Sequence, residues 1–532
     1  MENKQIRGHV VLLPYPSQGH INPLLQFAKR LASKGLKATL ATTRYTVASI
    51  SAAHVGVQPI SDGFDEGGFS QAGGNVDFYL KSFRDHGSRT LAQLIHKFSN
   101  SSMPVNCMVY DSFLPWALEV AKQHGIYGAA FFTNSATVCN IFAHIHHGLL
   151  ALPLDRETMP LVLPGLPPLN SRDLPTFLRF PDSYPAYLAM KLSQYSNLNE
   201  ADWVFGNTFE ELEGKEARGA SEIWPAKLIG PMVPSAYLDQ RIKGDRGYGS
   251  SLWKPLSEEC MEWLETKPSN SVVYVSFGSM VSLSEEQIQE IAWGLKESNM
   301  HFLWVVRDTE QPKLPEWFVD YSSQEKGKIV TWCNQLEMLA HRTVGCFVTH
   351  CGWNSTLEGL SLGVPMIGMP KWTDQLTDAK FVEEIWEIGM RAEENEEGVV
   401  RKDELMRCLK EVMEGEKGKE MKRNANKWRD SAKRAIDQGG SSDKSRDWVL
   451  DNGPWHIQHK PLVLRKWEPN LRNLRRLDFD IACMHVWIQL YNVPLELYSK
   501  KCLSYIASAI GIPLYMDTIT TSKARLEFAK SV

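Results

Sequence analysis

"HVVLLPYPSQGHINPLLQFAKRLASKGLKATLATT", residues 9–43, is the stretch whose reading decides the fold. "HVVLLPY" is a compact apolar run, and "PSQGHINP" is turn chemistry. In "LLQFAKRLASKG" the apolar Leu24, Leu25, Ala28, Leu31 and Ala32 lie on one side at helical spacing. Gly35 suits the position just past a helix C-terminus, and "LKATLATT" restores a strand. That is a β-α-β unit. "VNCMVYDSF" and "HGIYGAAFFT" read as further buried strands. Strands alternating with helices imply a parallel, doubly wound sheet.

A second series begins near Asn270. "SVVYVSFGSM" is a strand running into a glycine turn. Ser284 and Gln287 have capping-box spacing for the helix "EEQIQEIAWGLKES", and "HFLWVV" is the next strand. "GCFVTH" ends a strand at His350, "NSTLEGLSLG" is a helix closed by Gly363, and "VPMIGMP" is a strand. Between the halves, "SAYLDQRIKGDRGYGSSLWKP" is polar and glycine-containing, as a linker would be. The expected class is α/β: two Rossmann-like domains facing across a cleft, plus an irregular α+β C-terminal extension. The boundaries read as 1–240, a linker at 241–258, 259–445, and a tail at 446–532.

The 532 residues are 43% hydrophobic and 23% charged, with a formal net charge of −4. No global basic field argues for nucleic acid or a membrane. The nine cysteines are scattered, odd in number and free of CxxC spacing, which fits reduced thiols and no zinc site. The first apolar run is cut by Pro14 and Pro16, too short for a signal-peptide core. No stretch reaches the roughly 18 apolar residues of a spanning helix. A soluble, cytoplasmic protein, acting as a monomer, is the expectation.

The densest chemistry is "THCGWNSTLEGLSLGVPMIGMPKWTDQ", residues 349–375. A helix N-terminus presents free backbone N–H groups and a partial positive charge. Gly352 allows close backbone approach, and Asn354 and Ser355 sit where side chain and main chain can both donate. A diphosphate can thus be held without Lys, Arg or metal. Glu358, about one turn deeper, can accept two ribose hydroxyls. Asp374 and Gln375 suit the hydroxyls of a sugar. Each residue alone reads as an ordinary cap or loop; jointly they argue for a nucleotide-sugar.

Trp332 to Gln375, "WCNQLEMLAHRTVGCFVTHCGWNSTLEGLSLGVPMIGMPKWTDQ", resembles the plant secondary product glycosyltransferase box, the donor signature of plant UDP-dependent glycosyltransferases. The resemblance runs from about Gly8 to Ser445. It implies a GT-B type fold, with UDP-glucose as co-substrate rather than cofactor. It also implies roles. Trp332 stacks on uracil while the Cys333 backbone reads its edge. Gln335 and Glu358 hold the ribose. Ser279, His350, Gly352, Asn354 and Ser355 bind the diphosphate. Trp353, Asp374 and Gln375 hold the sugar, and a terminal Gln goes with glucose. "ISDGFDEGGF", residues 60–69, further resembles a subgroup that glucosylates small phenolic or carboxylic acids.

His20 and Asp111 each follow the carboxyl end of a strand, where loops of doubly wound sheets gather at the ligand crevice. Such a histidine can remove an acceptor hydroxyl's proton, and a buried carboxylate can orient the ring. With the resemblance, the pair implies inverting displacement at the sugar's anomeric carbon, giving a β-glucoside or glucose ester. Weaker candidates remain. "HIHH", residues 144–147, has no carboxylate or Cys partner at metal spacing and reads as a helix bordering the acceptor pocket. "DFD", residues 478–480, mimics a metal motif of a different glycosyltransferase fold. No metal site is expected.

The tail breaks style. From Arg446 on it carries 12 Lys and Arg against 8 Asp and Glu; the remaining 46 and 54 leave the body at net −8. "GPWHIQHKPLVLRKWEP", "VWIQLYNVPLEL" and "LSYIASAIGIPLYMD" resemble part of a domain of unknown function in plant retrotransposon-related zinc-knuckle proteins, without the knuckle. "LRKWEPNLRNLRR" mixes cations with Trp467, as single-strand binders do, yet a solvated charged segment fits it as well, and no nucleic-acid partner is expected. In the resembled fold, a last helix crosses back to the N-terminal domain. The sequence departs at Arg446, where "RDWVLDNG" supplies about two turns before Gly453-Pro454 stops them. Its Trp448, Val449 and Leu450 are the residues left to replace that clamp. Two rivals follow: a catalytically impaired fusion that only binds small ligands, and a nucleic-acid binder acting through the tail.

Overall fold

The computed structural model describes residues 8–154, 159–250, 255–322 and 326–451, and beyond them 455–457, 460–462, 487–488 and 528–529. Residues up to Arg446 form one compact unit built on two parallel sheets. The first contains β1 (His9–Leu13), β2 (Lys37–Thr43), β3 (Val55–Ile60), β4 (Cys107–Asp111), β5 (Tyr127–Phe132), β6 (Trp203–Gly206) and β7 (Lys227–Leu228). Their order is β3-β2-β1-β4-β5-β6-β7. The second contains β8 (Val272–Ser276), β9 (His301–Val305), β10 (Gly327–Val330), β11 (Val344–Thr349), β12 (Met366–Gly368) and β13 (Gly389–Arg391), in the order β10-β9-β8-β11-β12-β13. Both orders reverse direction beside the first strand of their series. That reversal opens a crevice at the carboxyl ends of the strands.

The strands read as unbroken apolar runs because helices cover both sheet faces. β1 and β8 are buried along their whole length. The helix Gln18–Ser33 forms as its periodicity predicts and ends with Gly35 at φ +90°. Gly363 closes the helix Trp353–Leu362 at φ +69°. The expected capping box is only half made. Ser284 Oγ accepts from the Gln287 N–H at 3.2 Å, but the Gln287 side chain donates to Val400 O at 2.9 Å and accepts from Lys371 Nζ at 3.1 Å.

The stretch read as a polar linker buries its polarity. Asp245 accepts from Gln26 Nε2 at 2.7 Å and Lys29 Nζ at 2.8 Å, so the segment is fastened to the helix Gln18–Ser33. The chain also returns to the first half before the sequence departs. The helix Ser441–Asp451 starts ahead of Arg446 and runs for 11 residues, rather than starting at the departure as expected. Ser442 Oγ donates to Gly230 O at 2.5 Å, Arg446 to Ile229 O at 3.2 Å, and Lys34 pairs with Asp443 at 3.2 Å. The side chains of Trp448, Val449 and Leu450 lie outside the described residues, as do Trp467 and Asp478 to Asp480. The second unit, Asp447–Val532, shows Trp455–Ile457 paired antiparallel with Lys460–Leu462, and Trp487–Ile488 with Phe528–Ala529. No helix among the described residues is long and apolar enough to cross a membrane.

Candidate active site

One cavity of about 660 Å³ lies between the two sheets, lined by residues of both halves. That volume is ordinary for a small-molecule site. Every residue assigned from the sequence to catalysis or donor binding lines it except Asp111, which stands directly behind His20.

On the first half, β1 runs out at Leu13 and the loop Pro14–Ser17 delivers His20 into the first turn of its helix. Asp111 ends β4 and is fully buried. Its Oδ2 accepts from His20 Nδ1 at 2.7 Å, and its Oδ1 from the Phe113 N–H at 3.0 Å. With Nδ1 bonded to an acceptor-only carboxylate, the neutral imidazole carries its lone pair on Nε2. The ring keeps 16% of its surface open and packs against Phe113 at 4.6 Å between centroids. The geometry is that of an imidazole oriented by a carboxylate, with Nε2 able to accept a proton.

On the second half, the helix Trp353–Leu362 starts at Gly352 with no side chain capping its first N–H groups. Backbone N–H groups of this kind can receive an anion. His350 is wedged between two glycines: a Cβ at Gly278 would lie 2.8 Å from its ring, and one at Gly352 would lie 2.6 Å from Nε2. Burial lowers the His350 pKa to about 4, so the ring is neutral near pH 7. Glu358 accepts from Gln335 Nε2 at 2.7 Å and from the Tyr248 hydroxyl at 2.9 Å. Burial pushes its pKa up to about 7 against those two hydrogen bonds. Gln335 also donates to Ser355 Oγ at 3.0 Å. Trp332 is half-buried on the wall beside Gln335.

Two expected groups are committed elsewhere. The Trp353 indole N–H donates to Asn207 O of the first half at 2.8 Å, so what Trp353 offers a ligand is its backbone N–H. The Asn354 amide donates to Gly19 O at 2.6 Å. That carbonyl is free because Pro23, four residues on, has no N–H to give it. Gln375 Oε1 accepts the N–H groups of Lys371 and Trp372, leaving its amide N–H groups for a ligand.

Sequence reasoning missed Tyr248, Asn134, Lys191 and Trp372, all on this cavity. Tyr248 stood in the stretch read as linker. His144 to His147 do not line the cavity, against expectation; His144 Nδ1 bonds to Asn140 O at 2.9 Å within its own helix. Among the described residues, no three His, Cys, Asp or Glu side chains are grouped to hold a metal.

Group transfer from a nucleotide-linked donor is the chemistry this cleft can perform: a base waits on one wall, anion and hydroxyl partners on the other. Comparison with known proteins specifies the class. The UDP-glucoronosyl and UDP-glucosyl transferase family matches residues 234–430. UDP-glycosyltransferase 74B1 of Arabidopsis thaliana is 52% identical over 452 residues, covering 84% of this chain and 98% of its own length. The flavonol 7-O-beta-glucosyltransferase UGT74F1 of the same plant is 46% identical over 448 residues, 83% and 97% of the two chains. Os79 from O. sativa, solved in complex with UDP, superposes with a TM-score of 0.79 at 39% identity over 83% of this chain and 99% of that one. The chain belongs to the plant UDP-glycosyltransferases.

Proposed function

We propose that the protein transfers glucose from UDP-glucose to a hydroxyl or carboxyl group of a small plant metabolite or hormone-like acid, with inversion at the anomeric carbon. The observation that carries this reading is the His20–Asp111 pair, 2.7 Å apart, with His20 on the wall of the cavity that also holds Trp332, Gln335 and Glu358. His20 Nε2 takes the acceptor's proton as its oxygen attacks the anomeric carbon. The bond from that carbon to the diphosphate breaks, and UDP leaves from the opposite face. Asp111 stabilises the imidazolium that forms. Trp332 stacks on uracil beside the Cys333 backbone, and Gln335 with Glu358 holds the ribose. Ser279, His350, Gly352, Asn354 and Ser355 surround the diphosphate; Trp353, Asp374 and Gln375 hold the glucose.

The acceptor end is walled by Tyr15, Phe69, Tyr79, Phe113, Phe177 and Tyr187, which suits flat, aromatic acceptors. The test is a turnover screen with UDP-glucose against phenols, carboxylic acids and flavonoids. Glucoside or glucose ester formation by the purified protein supports the reading. UDP binding without transfer to any member of the panel would count against it.

A further inference from the structure

Among the described residues, Lys191 is the only lysine or arginine on the wall of the cavity, and it is 4% exposed. Its ammonium is not directed at the helix N-terminus that faces the diphosphate. It lies over the Phe113 ring, 4.8 Å from the centroid, and donates to Asn134 Oδ1 at 2.8 Å. Asn134, 9% exposed, donates in turn from Nδ2 to Asp374 Oδ2 at 2.7 Å. Asp374 is 5% exposed and sits in the opposite half of the molecule. Three buried side chains thus make one chain of hydrogen bonds across the cleft.

We infer that Lys191 and Asn134 are positioning residues for donor-sugar recognition: from the acceptor half, they fix the orientation of the Asp374 carboxylate that holds the sugar. This rests on the proposed role of Asp374 as a sugar ligand. An amide side chain has two orientations that differ only in where its oxygen and nitrogen lie. The Lys191 ammonium can only donate, so it holds the Asn134 oxygen toward itself and turns the NH₂ to Asp374. One carboxylate oxygen of Asp374 is then occupied from across the cleft, and Oδ1 is left for a sugar hydroxyl.

The surrounding charges favour the same arrangement. Burial lowers the Lys191 pKa, and the Asp374 charge opposes that most strongly. The neighbouring Asp378 is held well above the usual carboxylate range by burial and by Asp374, and its Oδ1 accepts from Ser135 at 2.9 Å. Asp374 is therefore the carboxylate that balances Lys191. Asn134 itself is placed rigidly. It precedes the helix Ala136–His146, whose first N–H groups, at Ala136 and Thr137, donate to the buried Glu213 at 2.9 and 3.1 Å.

The consequence is a split between the two parts of the donor. In the proposed function UDP meets Trp332, Gln335 and Glu358; the side-chain bonds of Gln335 and Glu358 run to Ser355, Tyr248 and each other, not to the relay. Only the sugar meets Asp374. Lys191→Met and Asn134→Ser remove one link each, and the pair guards against either variant failing to fold. Each is assayed for the KM of UDP-glucose, the Ki of UDP, and the turnover ratio of UDP-glucose to UDP-galactose. Loss of one buried hydrogen bond is expected to raise the UDP-glucose KM about tenfold and shrink the glucose-to-galactose ratio comparably, with the Ki of UDP changed less than about twofold. A Ki that rises in step with KM would overturn the inference, because the bonds would then only hold the cleft closed. Unchanged KM and sugar ratio in a folded variant would overturn it as well. If the unsubstituted protein does not turn over UDP-glucose, it is the proposed function that fails; the relay fails only when the unsubstituted protein works and its variants keep sugar selection.

Discussion

Glu358 takes its unusual ionisation from burial, which sets its pKa at about 7 while Gln335 and Tyr248 pull it down. An unfolded glutamate titrates near about 4.3. The folded value is raised, so this group's contribution to stability is fully present below about pH 4 and is lost as pH climbs through about 7. Ribose hydroxyls donate best to the ionised carboxylate, so UDP binding should expel a proton near neutrality. Calorimetry should show UDP affinity falling roughly tenfold from about pH 8 to about pH 6, and Glu358→Gln should remove most of that slope. A flat profile in the unsubstituted protein would exclude Glu358 as an ionised ribose ligand. His20 carries a second expectation. Removing it should cost about 10²–10⁴-fold with hydroxyl acceptors, the usual general-base contribution. Carboxylic acids, with pKa near about 4, arrive already ionised. His20→Ala should cost them much less, and equal losses for a phenol and a carboxylate acceptor would refute proton abstraction as its role.

At the scale of elements, the site is made by strand ends and helix starts, and these are the parts least written in local pattern. β1, β4, β8 and β11 were legible because strands buried on both faces must be continuous apolar runs. His20, Asp111 and the 349–375 stretch were legible because their chemistry follows those runs directly. Asn134 and Lys191 were not: each is an ordinary polar residue until Asp374, some 240 positions from Asn134, is brought beside it. Gln287 misled for the same reason, since its partners Val400 and Lys371 are distant in sequence. Tyr248 was hidden in a segment whose polarity resembles a linker's but whose Asp245 is buried. The turn after β8 offers a test at this scale. Gly278 has φ +69°, and a Cβ there would lie 2.8 Å from the His350 ring. Gly278→Ala combines a left-handed backbone with displacement of His350, and should destabilise the protein by about 1–3 kcal/mol. It should also weaken UDP, because His350 lies beside the bare helix N-terminus. Thermal melting and UDP titration of this variant check both; a normal melt with normal UDP affinity would remove the glycine's special role.

At the scale of the whole molecule, the question is how much of the C-terminus the enzyme needs. The expectation from sequence placed the break at Arg446 and allowed for a lost clamp. The structure puts the return to the first half at and before that residue. Arg446 is 6% exposed and donates to Ile229 O; Asp443 is 2% exposed and pairs with Lys34 at 3.2 Å and Arg241 at 3.3 Å. Ser442 satisfies Gly230 O. A chain ending after Ile436 would strip partners from two cations and two carbonyls at once. Lys34 and Arg241 are each about a third exposed, so losing these ion pairs costs about 1 kcal/mol or less apiece. With the two carbonyls also left unpaired, Tm should fall by a few degrees, at about 1 °C per kcal/mol for a unit of this size. A chain ending after Asp451 keeps all of these contacts. It should melt with the full-length protein and retain glucosyl transfer to within about twofold, a difference below about 0.5 kcal/mol. Side-by-side expression, melting and turnover of the three lengths separates the cases. Were the chain ending after Asp451 to stay folded and yet lose transfer, residues beyond 451 would be a working part of the enzyme. The rival reading of the tail as a nucleic-acid binder has its own arm in the same experiment: a salt-dependent shift of single-stranded RNA by the full chain that vanishes on cutting after Asp451. Transfer kept, melting kept and no such shift would make the tail a passenger on a complete glycosyltransferase.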